Sequence, residues 1–356
     1  MKGKVLLVVL LFLIMFSLPF LAMGGTGAGK GIGTSSAKNP SSAQSSPPSS
    51  SPQKSAAPSS GGSSGQAGQT ANTGFKILDT TSGKVLNVDD RSFLYGAIAS
   101  EVSPTAPEEA LKAQGVAAYT YYSRLREKAR KKPNPALNGA DFSADTQNWQ
   151  IYVTKEQMQS RWGINFDSYY KKLVQAADSV FGQVLTYEGD LIDATYFAIS
   201  SGQTEASEDI WGGKRTYLIS VASPGDAFAG GFQTTVALKA DQFKAAVLKA
   251  ASGAKLDGDP SQWIGEIKRT GAGSVTTMAV GGSSLTGNAA RTAFGLRSAN
   301  FTVSYSNGSF VFLVKGYGHG VGMSQAGAAY MANQGSTYQQ ILSWYYPNTS
   351  LTTLKA

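Results

Sequence analysis

"FTVSYSNGSFVFLVKG", residues 301–316, decides the fold class. Two runs of alternating apolar and polar residues flank Asn307-Gly308, a dipeptide that readily takes the positive φ angles of a two-residue hairpin turn. Weaker versions of the signal stand upstream. "FKILDTTSGKVLNVDD" (75–90) reads as two strands around Ser82-Gly83, and "QVLTYEGDLIDATYFAIS" (183–200) as two around Glu188-Gly189-Asp190. "WIGEIKRT" and "SVTTMAV" add short strands. Helical segments interrupt them. "RSFLYGAIAS" (91–100) is expected to be a short helix capped by Asp90. A longer one opens at Thr105 and Pro107 with Glu108 and Glu109 in its first turn, and buries Leu111, Gly115, Ala118, Tyr122 and Leu125 at helical spacing. Its basic end, "RLREKARKK", suits the helix dipole, and Pro133 and Pro135 stop it. "TKEQMQSRWG", "FDSYYKKLVQAADSVFG" and Asp241–Ala251 also read as helices. Ser336 and Gln339 form a capping box before "ILSWYY", which Pro347 ends. No regular βαβ rhythm joins these pieces. The expected class is α+β, with interleaved helices and mostly antiparallel hairpins in one domain over residues 75–356.

Outside that domain the composition changes. Lys2 and Lys4 precede a mostly apolar run from Val5 to Met23, whose nineteen residues would span roughly 28 Å as a helix. Residues 1–23 are therefore expected to be a membrane anchor rather than a cleaved signal peptide, although Ala22-Met23-Gly24 is a passable cleavage site. Either way the rest should be exported. Residues 24–74 are nearly all Gly, Ser, Ala, Pro, Gln, Thr and Asn, the composition of a disordered linker with a reach of roughly 40 Å. Residues 1–74 hold five lysines and no acid, so much of the formal +8 charge lies there, and the domain is nearly balanced. No dense basic run supports nucleic-acid binding. With no cysteine in the chain, a core alone must hold the domain together.

The strongest hairpin runs straight into "GYGHGVGMSQAG" (316–327), which carries the chain's one histidine and five glycines. Alternating glycines allow either close backbone approach or a face left open to a ligand, lined by His319, Ser324 and Gln325; both readings satisfy this stretch. A Ser324/His319 hydrolase is a weak third reading, because no nucleophile elbow surrounds any serine. One histidine and no cysteine exclude the common zinc frameworks, so neither metal nor cofactor is expected. Glu101 is the more informative acid. It follows "FLYGAIAS" and precedes "VSP", at the C-terminal end of the expected helix, where the dipole and desolvation by Ala97, Ile98 and Val102 both raise a carboxyl pKa. Such a group can donate a proton to a leaving oxygen; the alternative is an ordinary solvated acid. "YFAISSGQTEASEDIWGG" (196–213) gathers Tyr196, Ser200, Ser201, Gln203, Glu205, Asp209 and Trp211 where a strand ends, a mixture suited to sugar recognition or to a polar loop pinned by its tryptophan.

Together, "LYGAIASEVSPTAPEEALKAQGVAAYTY", "YFAISSGQTEASEDIWGG" and "GYGHGVGMSQAGAAYMA" resemble the SpoIID/LytB domain of stage II sporulation protein D and its relatives, and "YLISVASPGD", "FGLRSANF" and "ILSWYYPNTSL" look like its connecting segments. The resemblance covers roughly residues 75–352. It implies a peptidoglycan lytic transglycosylase acting on peptide-stripped glycan strands. Glu101, in the family's "ASE" motif, would be the single acid/base and the product would carry a 1,6-anhydromuramyl end. It also implies a setting in sporulation and engulfment, at the outer face of the membrane, with a stem-peptide amidase (SpoIIP-like) and a membrane scaffold as partners. Relatives known as amidase enhancers imply the alternative, a non-catalytic glycan-binding modifier that stimulates a wall amidase. Two departures stand out. Tyr119 occupies the place of the family's usual arginine, and "DFSADTQNWQIY" lacks the cysteine-histidine zinc ligands of some relatives.

Overall fold

The computed structural model describes residues 74–354. The expected anchor and nearly all of the expected linker lie outside the described residues. Among the described residues no helix is long and apolar enough to cross a membrane.

Strands β1 (Phe75–Asp79) and β2 (Val85–Val88) pair antiparallel around Gly83, as the Ser82-Gly83 signal predicts. Helix α1 (Asp90–Glu101) follows. Its cap is Asp89, not Asp90: the Asp89 carboxylate accepts from the amides of Arg91 (3.1 Å) and Ser92 (2.9 Å). Asp90 turns inward instead, receiving the Arg126 guanidinium at 2.9 Å and the Tyr119 hydroxyl at 2.6 Å. Helix α2 (Glu108–Lys131) buries Leu111, Gly115, Ala118 and Tyr122, with Leu125 half-buried. β3 (Phe142–Ala144) joins β1 in parallel. Helices α3 (Lys155–Trp162) and α4 (Phe166–Ser179) pack beyond it. The hairpin of β4 (Gln183–Tyr187) and β5 (Asp190–Leu191) turns at Glu188-Gly189, both at positive φ. The expected second strand then breaks: β6 (Tyr196–Phe197) is only two residues long, and the short helix α5 (Ser207–Trp211) stands where a loop was expected.

A second core is built from residues between 233 and 315. β7 (Gln233–Lys239) leads into α6 (Ala240–Ala250). β8 (Ile264–Arg269), β9 (Val275–Val280) and β10 (Ser283–Thr286) form one antiparallel sheet, followed by α7 (Gly287–Ala293). β11 (Phe301–Ser306) and β12 (Ser309–Lys315) form the hairpin around Asn307-Gly308, and β7 completes that sheet against β12. The inward residues Phe310 and Phe312 pack on α6, where the Phe243 and Phe310 ring centres are 3.8 Å apart.

The chain then returns to the first core. β13 (Met323–Ser324) pairs in parallel with β6, followed by α8 (Gln325–Asn333), α9 (Tyr338–Tyr345) and β14 (Ser350–Thr353) on β4. The capping box before α9 lies one residue later than expected. Thr337 and Gln340 bond reciprocally, because the helix phase is set by burial of Ile341, Leu342 and Tyr345. With nine helices and five small sheets among the described residues, mostly antiparallel, the α+β class stands.

Candidate active site

The glycine-histidine segment is the strip by which the chain re-enters the first core. It is not a regular strand. Tyr317 exchanges both backbone hydrogen bonds with Ile199, the Glu205 amide donates to the Gly320 carbonyl (2.7 Å), and the Gly318 amide to the Arg297 carbonyl (3.0 Å). Close approach accounts for the glycines. At Gly322 (φ +86°) an added Cβ would sit 2.0 Å from the Thr195 carbonyl oxygen. In α8, one at Gly327 would lie 2.0 Å from the Tyr345 hydroxyl. Of the two readings that satisfied the sequence, tight packing explains the glycines themselves.

His319 projects from this strip, partly exposed, with its ring centre 5.5 Å from that of Phe197 and 5.3 Å from that of Trp211. Its Nδ1 accepts from the Val321 amide at 3.1 Å, so in the neutral ring Nε2 carries the hydrogen. Desolvation, reinforced by the nearby charge of Arg291, pushes the imidazole down to about 3, and the ring stays neutral at ordinary pH. Trp211 ends α5 and is 38 % exposed, a ring face beside an imidazole at the surface. Ser200, Ser201, Gln203 and Glu205 line one small cavity with His319, together with Ser274, Ser298 and Asn300. The Ser201 hydroxyl donates to the Ala272 carbonyl (3.3 Å) and the Gln203 amide to the Ser220 hydroxyl (3.2 Å). Glu205 is buried, with Oε1 accepting from the Ser274 amide at 3.3 Å and Oε2 without a partner among the described residues. Asp209 is exposed on α5.

Four of the residues expected to contact a ligand lie beneath the surface. Ser200 and Ser324 are buried and both spend their hydroxyls on Asp226, at 2.8 and 2.5 Å. Tyr196 and Glu205 are buried as well. Asp226 also accepts from the Ser200 amide (3.1 Å) and the Ser223 hydroxyl, so one carboxylate ties the end of β6, the 219–228 segment and the start of α8. The Ser324/His319 hydrolase fails on this geometry, since Ser324 serves Asp226 and caps α8 while His319 Nδ1 faces a backbone amide.

Glu101 is the last residue of α1 and is partly exposed. Its Oε2 lies 3.5 Å from Gln325 Nε2, which is also 3.4 Å from Gln114 Oε1. Burial of the carboxyl raises its pKa to about 7 against the smaller, opposite pull of the Gln325 amide. The buried hydroxyls of Tyr122 and Tyr196, both held well above the usual tyrosine value by burial, feel the Glu101 charge. The predicted residues thus form two groups, Glu101 with Gln325 and Tyr196, and the cavity group around His319. The strip 316–325 and the two residues of β6 run through both, Tyr196 coupled to Glu101 and Phe197 packed on His319.

Sequence reasoning missed Gln114, Tyr122 and Asp226. Gln114 carried a usable signal, a polar residue beside Leu111 and Gly115 on the buried face of α2. Asp226 carried none, because its partners come from three distant segments. Tyr119 engages Asp90, at the opposite end of α1 from Glu101, and Arg126 brings a guanidinium to that same carboxylate.

Comparison with known proteins gives a consistent answer. The family model "SpoIID: Stage II sporulation protein" matches residues 79–187. "Stage II sporulation protein D" of Bacillus subtilis (strain 168) is 35% identical over 273 residues, covering 76% of this chain and 77% of that protein. The protein of the same name from Bacillus amyloliquefaciens is also 35% identical, over 76% of each chain. "Amidase enhancer" of Bacillus subtilis (strain 168) is 29% identical over 308 residues, 73% of this chain and 40% of that one.

Proposed function

Because this chain belongs to the stage II sporulation protein D family, we propose that it remodels the bacterial cell wall during sporulation, as a lytic transglycosylase that cleaves the MurNAc–GlcNAc bond of peptide-stripped peptidoglycan. In this reading it is exported and held to the membrane by residues 1–23, with 24–74 as a tether. The observation that carries the proposal is the environment of Glu101. A carboxyl raised to about 7, touched by a neutral amide, holds a proton at the pH where an acetal oxygen needs one.

The chemistry balances on this one group. The Glu101 proton goes to the glycosidic oxygen as the bond from muramyl C1 to that oxygen breaks. The resulting carboxylate takes the proton of the muramyl 6-hydroxyl as O6 bonds to C1. A 1,6-anhydro end and a free GlcNAc hydroxyl result, and no second carboxylate on a water is needed. Trp211 offers a face for a sugar ring, and the partly exposed Ser201, Gln203 and His319 carry polar groups suited to sugar hydroxyls. Ser200 and Ser324 serve as supports beneath them.

Incubation with peptide-free glycan strands, followed by mass spectrometry of strand ends, tests the reading. Anhydromuramyl ends that vanish in Glu101→Gln are expected. Equal cleavage by that variant removes Glu101 from the mechanism, and new reducing ends mean hydrolysis. The likeness to a protein named amidase enhancer supports a second reading, a glycan-binding modifier of a wall amidase, which predicts binding without cleavage.

A further inference from the structure

We propose that Gln325, held by Gln114, is the positioning residue of Glu101: its amide N–H fixes Oε2 and so leaves Oε1 as the oxygen that gives and takes the proton. This inference rests on the acid–base reading of Glu101. Two anchors place Gln325. It is the first residue of α8, directly after Ser324, whose hydroxyl accepts from the Gly327 amide (3.2 Å) and donates to buried Asp226. Its backbone is therefore tied to the hub that also holds the end of β6. Its side chain is steered by Gln114, 1 % exposed on α2, whose Oε1 faces the same nitrogen that faces Glu101. Turned over, the Gln325 carbonyl would set oxygen against oxygen at Gln114 and, once Glu101 is ionised, at the carboxylate as well, so the present arrangement suits the carboxylate.

An N–H donor favours the carboxylate over the acid, so Gln325 opposes the effect of burial. This gives the pair of glutamines a function. Burial alone would make Glu101 hold its proton too firmly for the first half of the reaction, in which the acid must give it to the glycosidic oxygen. The other titratable groups acting across this site, Tyr122 from α2 and Tyr196 from β6, are neutral and unchanged over the working range, so the titration belongs to Glu101.

The test is a titration of the full chain carrying glutamate labelled at the carboxyl carbon, the Glu101 signal being assigned by its loss in Glu101→Gln. In Gln325→Leu the midpoint should rise by about one pH unit, as expected for loss of one hydrogen bond to a charged group. Production of anhydromuramyl ends at pH 7 should fall about tenfold in kcat with KM nearly unchanged, because the acid is no longer oriented, while the alkaline limb of the pH profile moves up with the midpoint. Gln114→Leu should move the midpoint the same way by less, and it stands in if Gln325→Leu does not fold. An unchanged midpoint in a folded variant overturns the proposal, even where Glu101→Gln abolishes cleavage. Cleavage that survives in Glu101→Gln overturns the catalytic reading instead, and the titration still reports whether Gln325 holds the carboxyl.

Discussion

Glu101 ends α1 with its carboxyl buried, and among the described residues it meets one hydrogen-bond donor, the Gln325 amide, and no ion-pair partner. Burial favours the protonated form and outweighs the opposing pull of that amide. The consequence for stability follows from linkage. The folded state binds this proton up to a pH of about 7, whereas an unfolded glutamate releases it near 4.5, so stability is lost as pH rises through that interval. Glu101→Gln, neutral at every pH, should therefore be more stable than the parent at pH 8 by about 3 kcal/mol, and equal to it below pH 4. Urea midpoints at the two pH values measure this, and equal midpoints at pH 8 would show an ordinary solvated acid. Such a cost in stability is what the proposed role as a catalytic acid predicts from the folding side. At this scale the sequence was informative about Glu101, because helix end and apolar neighbours are local. It was misleading about Ser324, whose partner Asp226 lies 98 positions away.

Among the elements, the Asn307-Gly308 turn and helix α8 show how glycine can mean two things. Gly308 sits at φ +73° in the hairpin turn with open space where a side chain would be, so its role is conformational. Gly327 lies inside α8, where alanine ordinarily favours a helix by about 1 kcal/mol. There, however, a methyl group would meet the Tyr345 hydroxyl at 2.0 Å and the Ser223 oxygen at 2.3 Å, both attached to the Asp226 hub. Gly308→Ala should cost about 1–2 kcal/mol and leave cleavage intact. Gly327→Ala should cost about 3 kcal/mol and depress activity with it, because α8 carries Gln325. Chemical denaturation of both variants decides this, and a stabilised Gly327→Ala would contradict the packing described. The hairpin at Asn307-Gly308 was legible because turn chemistry is contained in two residues. The two-residue strand β6 was not, since its partner Met323–Ser324 arrives only after the whole second core has been built.

Across the whole molecule, two cores meet along a strip that carries the one histidine, and the electrostatics of the two sites oppose each other. Burial and Arg291 depress His319 to about 3, so the folded state refuses a proton that the unfolded chain accepts near 6.5. Stability from this group is complete above pH 6.5 and is lost as pH falls toward 3. Between about 4.5 and 6.5, stability falls with rising pH through Glu101 and rises through His319, each with a limiting slope of about 1.4 kcal/mol per pH unit. The parent should be nearly level over that window. His319→Gln, whose amide oxygen can still accept from Val321, should lose stability as pH rises from 5 to 7, whereas Glu101→Gln should gain stability from 5 to 6.5. Urea midpoints at half-unit steps separate the three proteins. Parallel curves would mean that neither group is held away from its ordinary titration by the fold, and the contrast between a proton kept at Glu101 and one refused at His319 would not belong to this molecule.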